Sequence, residues 1–281
     1  MWGTQFRLDG EVAVVTGGTA GIGLAIAHRF AEAGARVVVC GRDRERGIAA
    51  EAELKGSGDV AFVKADMTRE EDVLSLKTEI EQQFGPVSIL INNVGPTDLL
   101  HSRDVDGPLG TIDLEQWETL MARTLTAVFL PTRHFIGPMG RARKGAIVNI
   151  SSMAATHPVP GSDAYATGKA AVESMTRAVT GSYRHLGVRC NTIRVGRIAV
   201  DHGGGVRTGR DPVDPDPDPE AWRKPALPLA GTPDDIAWVA LFLVSPAGSY
   251  VNGVVLPVDG GADVMSPLGW LTPRPEMREE T

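Results

Sequence analysis

The sequence predicts an α/β fold in which a seven-stranded parallel sheet is flanked by helices on both faces. Three observations predict it. Short Val- and Ile-rich runs alternate with longer stretches of helical periodicity. The runs are nearly continuously apolar, as strands buried on both faces must be. The first run also passes into the first helical stretch through a glycine-rich turn, TGGTAGIG at 16–23.

The strands are read at 11–17 (EVAVVTG), 35–41 (ARVVVCG), 59–66 (DVAFVKAD), 87–95 (VSILINNVG), 145–152 (GAIVNISS), 187–196 (GVRCNTIRVG) and 253–261 (GVVLPVDGG). Helical stretches run from Gly21 to Ala33, from Glu70 to Phe84, from Leu114 to about Phe135 and from about Asp163 to His185. Residues 200–228 are rich in Pro and Gly and read as a loop. It exceeds an ordinary connection, and such loops either cover a site or stay disordered. Residues 96–110 form a smaller polar departure, and 262–281 a polar tail with one apolar patch, PLGWL.

Composition narrows the function. The formal net charge of −7 disfavours nucleic acid and anionic membranes as partners. No apolar run approaches the ~20 residues of a membrane span, and the N-terminus does not read as a signal peptide. A soluble cytoplasmic protein is therefore expected. Cys40 and Cys190 sit in apolar runs and read as buried structural thiols. The histidines His28, His101, His134, His157, His185 and His202 show neither metal-ligand spacing nor a carboxylate partner pattern, so no metal site is expected.

The glycine turn carries the first functional signal. Gly17 permits a sharp turn, and Gly21 and Gly23 permit close approach of a diphosphate to a helix N-terminus. Gly17, Thr19, Ala20, Gly21, Ile22 and Gly23 are thus candidate cofactor residues on a Rossmann-type, doubly wound domain. Taken alone the motif is only a tight strand-to-helix turn; the strand before and helix after give it weight. At the end of the second strand stands Gly41-Arg42-Asp43. An arginine there accommodates the 2′-phosphate of NADP, so NADP(H) is favoured over NAD(H). Asp43 could instead bind a ribose if the strand ends later, and Arg42 could be a solvated helix-start residue.

Tyr165 and Lys169 lie one turn apart on a single helix face. A nearby ammonium is expected to lower the tyrosine pKa and make Tyr165 a usable general acid or base. Ser152, at the end of the fifth strand, can hydrogen-bond an oxygen that develops negative charge. By itself a Tyr-x-x-x-Lys pair is common on surface helices.

Together these motifs make the chain resemble the short-chain dehydrogenase/reductase family over about residues 7–262. The matches are Thr16, Gly17, Gly21 and Gly23; Asn92 to Gly95 as NNVG; Ser152, thirteen positions before Tyr165; Lys169; Asn191; and VDGG at 258–261. The resemblance implies one dinucleotide-binding and catalytic domain over 1–281, with a mobile substrate loop at about 200–228. It implies Ser152, Tyr165 and Lys169 as catalytic, with Thr124 where the family has a helix-borne asparagine. It places Asp66 and Met67 at the adenine, and Asn93, Val94 and Gly95 along the adenosine ribose. Tyr165 and Lys169 would also hold the nicotinamide ribose, with Gly196 and Ile198 flanking the nicotinamide. It implies a homotetramer that pairs helices 114–135 and 163–185, acting on a small-molecule carbonyl or secondary alcohol.

Thr124, Val195 in place of proline before Gly196, and Val200 in place of threonine depart from the family pattern. They bear on the rate more than on the reaction class. Thr124 and Val200 leave open a cofactor-binding regulator without turnover, Asp43 leaves open an NAD-dependent dehydrogenase, and the fold leaves open another reaction on the same scaffold. His157 could edge the substrate pocket. Arg207 and Arg210 could meet an anionic substrate or be solvated charges beside DPVDPDPDPE, and Trp222 could cap an apolar substrate or serve as a packing anchor.

Overall fold

The computed structural model describes residues 3–96, 105–199 and 230–264. The long loop with Val200, His202, Arg207, Arg210 and Trp222, most of the tail, and His101 lie outside the described residues. The strands are β1 (Val12–Thr16), β2 (Arg36–Gly41), β3 (Val60–Lys64), β4 (Ile89–Asn92), β5 (Gly145–Ser152), β6 (Val188–Val195) and β7 (Val255–Val258). They form one seven-stranded sheet in the order β3-β2-β1-β4-β5-β6-β7, with every pairing parallel. The helices are α1 (Gly21–Glu32), α2 (Arg44–Leu54), α3 (Glu70–Gln83), α4 (Leu114–Met121), α5 (Ala127–Ala142), α6 (Asp163–Tyr183) and α7 (Pro233–Val244).

Side chains alternate across each strand and so feed two cores. Ala13, Val15, Val37, Ile91 and Ile193 pack with residues of α1, α2 and α7. Val12, Val14, Val38, Leu90 and Ile147 pack on the other face with residues of α3 and α5. The apolar runs are continuous because both layers exist. Cys40 and Cys190 are free, fully buried thiols within the second core, and burial pushes both up to about 12.

Two helices escape the periodicity of the sequence. α2 buries only Gly47, Ala50 and Leu54, too thin a stripe to announce itself. α7 is apolar almost throughout and opens on a capping box between Thr232 and Asp235. The stretch expected to end near Phe135 runs on to Ala142, with a π-helical segment at Ala122–Thr126 between α4 and α5. β4 stops at Asn92, short of the expected Gly95. Beyond it the N–H groups of Asn93 and Val94 donate to the Thr16 hydroxyl, at 3.0 and 3.3 Å, instead of to a strand. The chain leaves β1 on one side of the sheet and re-enters at β4 on the other, so the strand order reverses between them. That reversal is where open α/β sheets bind ligands.

Candidate active site

The glycine turn closes over the ends of β1 and β4. Gly17 and Gly21 have φ of 64° and 52°, a region that disfavours other residues. A Cβ at Gly23 would stand 2.2 Å from the Gly17 carbonyl oxygen, so only glycine lets α1 start this close to the turn. Ala20 occupies the cap position, and no side chain caps the helix there. The first N–H groups of α1, at Gly21, Ile22 and Gly23, therefore face outward without a side-chain acceptor, as a diphosphate site requires. These residues fit a dinucleotide.

Asn93 does something the sequence did not suggest. Its amide nitrogen donates to the Thr16 and Gly17 carbonyls at 3.2 and 3.0 Å, so its side chain buttresses the turn. Val94 packs on the second core, while a Cβ at Gly95 would lie 3.9 Å from Lys169 Nζ. Asp66 Oδ1 accepts from both the backbone and the hydroxyl of Thr68, and Met67 is buried.

At the end of β2 stand the two residues that bear on the cofactor. The strand ends at Gly41, which makes Arg42 the first residue beyond it, and Arg42 is exposed. Asp43 is the cap of α2: its carboxylate accepts from Arg46 N at 3.0 Å, and that bond holds it below its ordinary pKa. A methyl on Gly41 would touch Thr19 Cγ2 at 3.3 Å, so the turn and the strand end meet here.

Ser152 ends β5, and Tyr165 lies in the first turn of α6, which packs back on β5. The Ser152 hydroxyl lies close enough to the Tyr165 phenol to pull its pKa down. Ser152 Oγ also accepts from Ala154 N at 3.2 Å. Lys169 is buried; its Nζ donates to the Ile150 carbonyl at 2.8 Å and lies 5.8 Å from the Tyr165 ring centroid. Burial pushes this ammonium down to about 8. Here the expected electrostatics need correction. Burial raises the Tyr165 pKa, and the neighbouring Ser152 hydroxyl pulls it back only in part. Burial outweighs any pull from the Lys169 ammonium, which donates to the Ile150 carbonyl.

Thr124 is fully buried in the π-helical segment, and its hydroxyl donates to the Leu120 carbonyl at 2.6 Å. Gly168, inside the Tyr-x-x-x-Lys span, packs directly on it. A Cβ there would come within 2.1 Å of Thr124 Oγ1. Gly196 likewise lets the end of β6 meet Asp259, 2.6 Å from where a Cβ would stand, and Ile198 bridges to Gly231.

A polar network behind Ser152 was not legible in the sequence. Arg194 on β6 grips Glu173 of α6 through two bonds, of 2.9 and 2.8 Å, and reaches both Asp263 oxygens at 3.2 Å. Glu173 also accepts from Ser151 at 3.0 Å. Asp263 accepts from Thr156 and lies 3.3 Å from His157 Nδ1. The reading of the histidines as lacking carboxylate partners is therefore corrected. His157 lies against Asp263 and His134 against Glu70 at 2.8 Å, while His28 Nδ1 is 3.5 Å from Glu32 without a hydrogen bond. The first two pairs join residues far apart in the chain.

A turn that fits a diphosphate at the sheet's switch point, beside a Ser–Tyr–Lys centre, defines a dinucleotide-dependent enzyme class. Comparison with known proteins narrows it. A family model described as enoyl-(acyl carrier protein) reductase matches residues 17–263. The chain is 34% identical over 258 residues to a 3-oxoacyl-[acyl-carrier-protein] reductase of Chlamydia muridarum, covering 90% of this chain and 98% of that one. It is 35% identical over 258 residues to an NADP-dependent (R)-specific alcohol dehydrogenase of Lentilactobacillus kefiri, covering 91% and 97%. A solved structure of a candidate gluconate dehydrogenase from Agrobacterium tumefaciens superposes with a TM-score of 0.80 at 28% identity, covering 94% of this chain and all of that one. The chain belongs to the short-chain dehydrogenase/reductase family, as an NAD(P)-dependent oxidoreductase of alcohols and carbonyls.

Proposed function

We propose that the protein interconverts a ketone or aldehyde and the corresponding alcohol with NADP(H), and that Tyr165 is its general acid and base. The observation that carries this reading is the meeting of the Tyr165 and Ser152 hydroxyls, with Lys169 one turn along α6. When bound, the nicotinamide supplies or accepts the hydride, and the protein supplies orientation and the proton. In reduction, Tyr165 passes its phenolic proton to the substrate oxygen. Ser152 donates a hydrogen bond to that oxygen as charge builds on it. Because Ala154 N–H occupies an acceptor site on Ser152 Oγ, the serine proton remains available to donate. Lys169 supports Tyr165, and both hold the nicotinamide ribose. A raised phenol pKa keeps Tyr165 protonated at neutral pH, which suits it to act as the acid.

The cofactor would rest on Gly17, Thr19, Ala20, Gly21, Ile22 and Gly23, with Asp66 and Met67 at the adenine and Gly196 and Ile198 at the nicotinamide. Asn93 would serve this site through the turn it braces, and Val94 and Gly95 through their backbone. NADP(H) is favoured because Asp43, the rival for the ribose, is engaged as a helix cap while Arg42 begins the next segment. We read residues 1–281 as one catalytic domain, and the protein as cytoplasmic and homotetrameric. Among the described residues no helix is long and apolar enough to cross a membrane.

Substituting Tyr165→Phe tests the central assignment. Turnover with NADPH should fall by ~10²–10⁴-fold, the usual worth of general acid catalysis, with cofactor affinity nearly unchanged. A variant that kept its kcat would remove Tyr165 from the role.

A further inference from the structure

A helix cannot satisfy the N–H groups of its own first turn. In α6 that turn is Asp163-Ala164-Tyr165, and Ser162, at the cap position, makes no side-chain bond to it. The acceptor comes from 58 residues away: Asp106 Oδ1 accepts from Ala164 N at 3.1 Å, and Oδ2 accepts from Tyr165 N at 3.0 Å. Asp106 Oδ1 also accepts from Gly107 N at 2.9 Å, which fixes the orientation of the carboxylate. A return bond locks the same junction, as Asp163 Oδ2 accepts from Leu109 N at 3.0 Å.

We propose that Asp106 is a positioning residue for Tyr165. Its carboxylate holds the backbone of the tyrosine and so sets where the phenol meets Ser152 and the substrate oxygen. The proposal rests on the reading of Tyr165 as proton donor. An ordinary cap stabilises a helix end and nothing more. This one bonds the reacting residue itself, and it does so from the segment that leads from β4 to α4, so the first turn of α6 is placed by a tertiary contact. Small displacements of a reacting group weigh heavily on rate: about 1 Å can cost ~10²-fold. Both carboxylate oxygens are needed, because an amide in their place would present one N–H to another N–H.

The test uses the full-length protein with NADPH and whichever of a panel of simple aryl, cyclic and β-keto ester ketones the native enzyme reduces fastest. Asp106→Ala should lower kcat by ~10- to 100-fold, with substrate KM and NADPH affinity within about twofold of native. Asp106→Asn should fall between native and Asp106→Ala. Asp113→Ala removes a cap of the same kind from α4 and should lower Tm while keeping kcat. If Asp106→Ala keeps native kcat, or loses no more than Asp113→Ala, Asp106 is only a structural cap and the proposal fails. If Asp106→Ala does not fold, Asp106→Asn decides, and native kcat in that variant overturns the proposal. Tyr165→Phe run in parallel separates the two readings. An active Tyr165→Phe, or a native protein that reduces no ketone in the panel, sinks both; an inactive Tyr165→Phe beside fully active Asp106 variants sinks only this one.

Discussion

Two side chains with charge to place decide much of the chemistry. On the proposed NADP(H) reading Arg42 meets the 2′-phosphate, and a guanidinium matches phosphate with paired, charge-assisted bonds worth ~1.5–3 kcal/mol. Arg42→Ala should therefore weaken NADPH by roughly tenfold or more, and leave NADH almost unchanged. Titration of both reduced cofactors checks this; equal losses, or an initial preference for NADH, would favour NAD chemistry. Lys169 gives a pH signature. Its ammonium titrates at about 8 in the fold against 10.5 as a free side chain, because burial penalises the charge. Between those values the unfolded chain binds the extra proton, so stability rises with pH across that window and the penalty is fully present below it. At 1.36 kcal/mol per pKa unit, native protein should gain about 2–3 kcal/mol relative to Lys169→Met between about pH 7.5 and about pH 10. Urea unfolding of both proteins at the two pH values measures it. A constant difference would mean that Lys169 is not desolvated.

At the scale of elements, the site depends on how α6 and the π-helical segment meet. Thr124, which the family resemblance sets in the place of an asparagine, donates its hydroxyl back to the Leu120 carbonyl. Such bonds loosen the regular ladder, and here the backbone takes a π turn. Pro131, four residues into α5, removes a further donor. The departure from α geometry thus comes from the backbone and a hydroxyl, with no need of an asparagine side chain. On the enzyme reading Thr124→Asn should change kcat only modestly. Thr124→Val, which keeps the shape but loses the hydroxyl, should slow turnover. A regulator without turnover would behave in the opposite way: no reduction by native protein, and activity appearing in Thr124→Asn. Assaying the three proteins on one ketone with NADPH separates the two.

At the scale of the whole molecule, one edge of the sheet is poorly covered. Parallel sheets are ordinarily buried on both faces, yet Val255, Leu256 and Val258 of β7 are only half-buried, and Tyr250 beside it is fully exposed. On α4 and α5, Leu114 and Phe129 are exposed as well. These surfaces suit the proposed tetramer, in which other copies would cover them. Sedimentation of native protein at micromolar concentration should give four chain masses, and Phe129→Glu should shift it toward smaller species. A native monomer would end the tetramer reading.

The sequence by itself determined the sheet, its parallel sense, the glycine turn and the Ser–Tyr–Lys spacing. Each of these is local: an apolar run long enough for a strand, a helix start that demands glycine, two residues one turn apart. The weakly striped α2 and the nearly all-apolar α7 were less legible because periodicity needs two contrasting faces. Tertiary structure alone decided the rest. It raised the Tyr165 pKa, since burial is a property of the packed surroundings. It brought the Asn93 amide to the Thr16 and Gly17 carbonyls, where it braces the turn. It joined Glu173, Arg194 and Asp263, and brought Asp106 to the start of α6. The partners of these carboxylates are fixed by which chain segments the sheet order brings together, and no spacing along the chain carries that information.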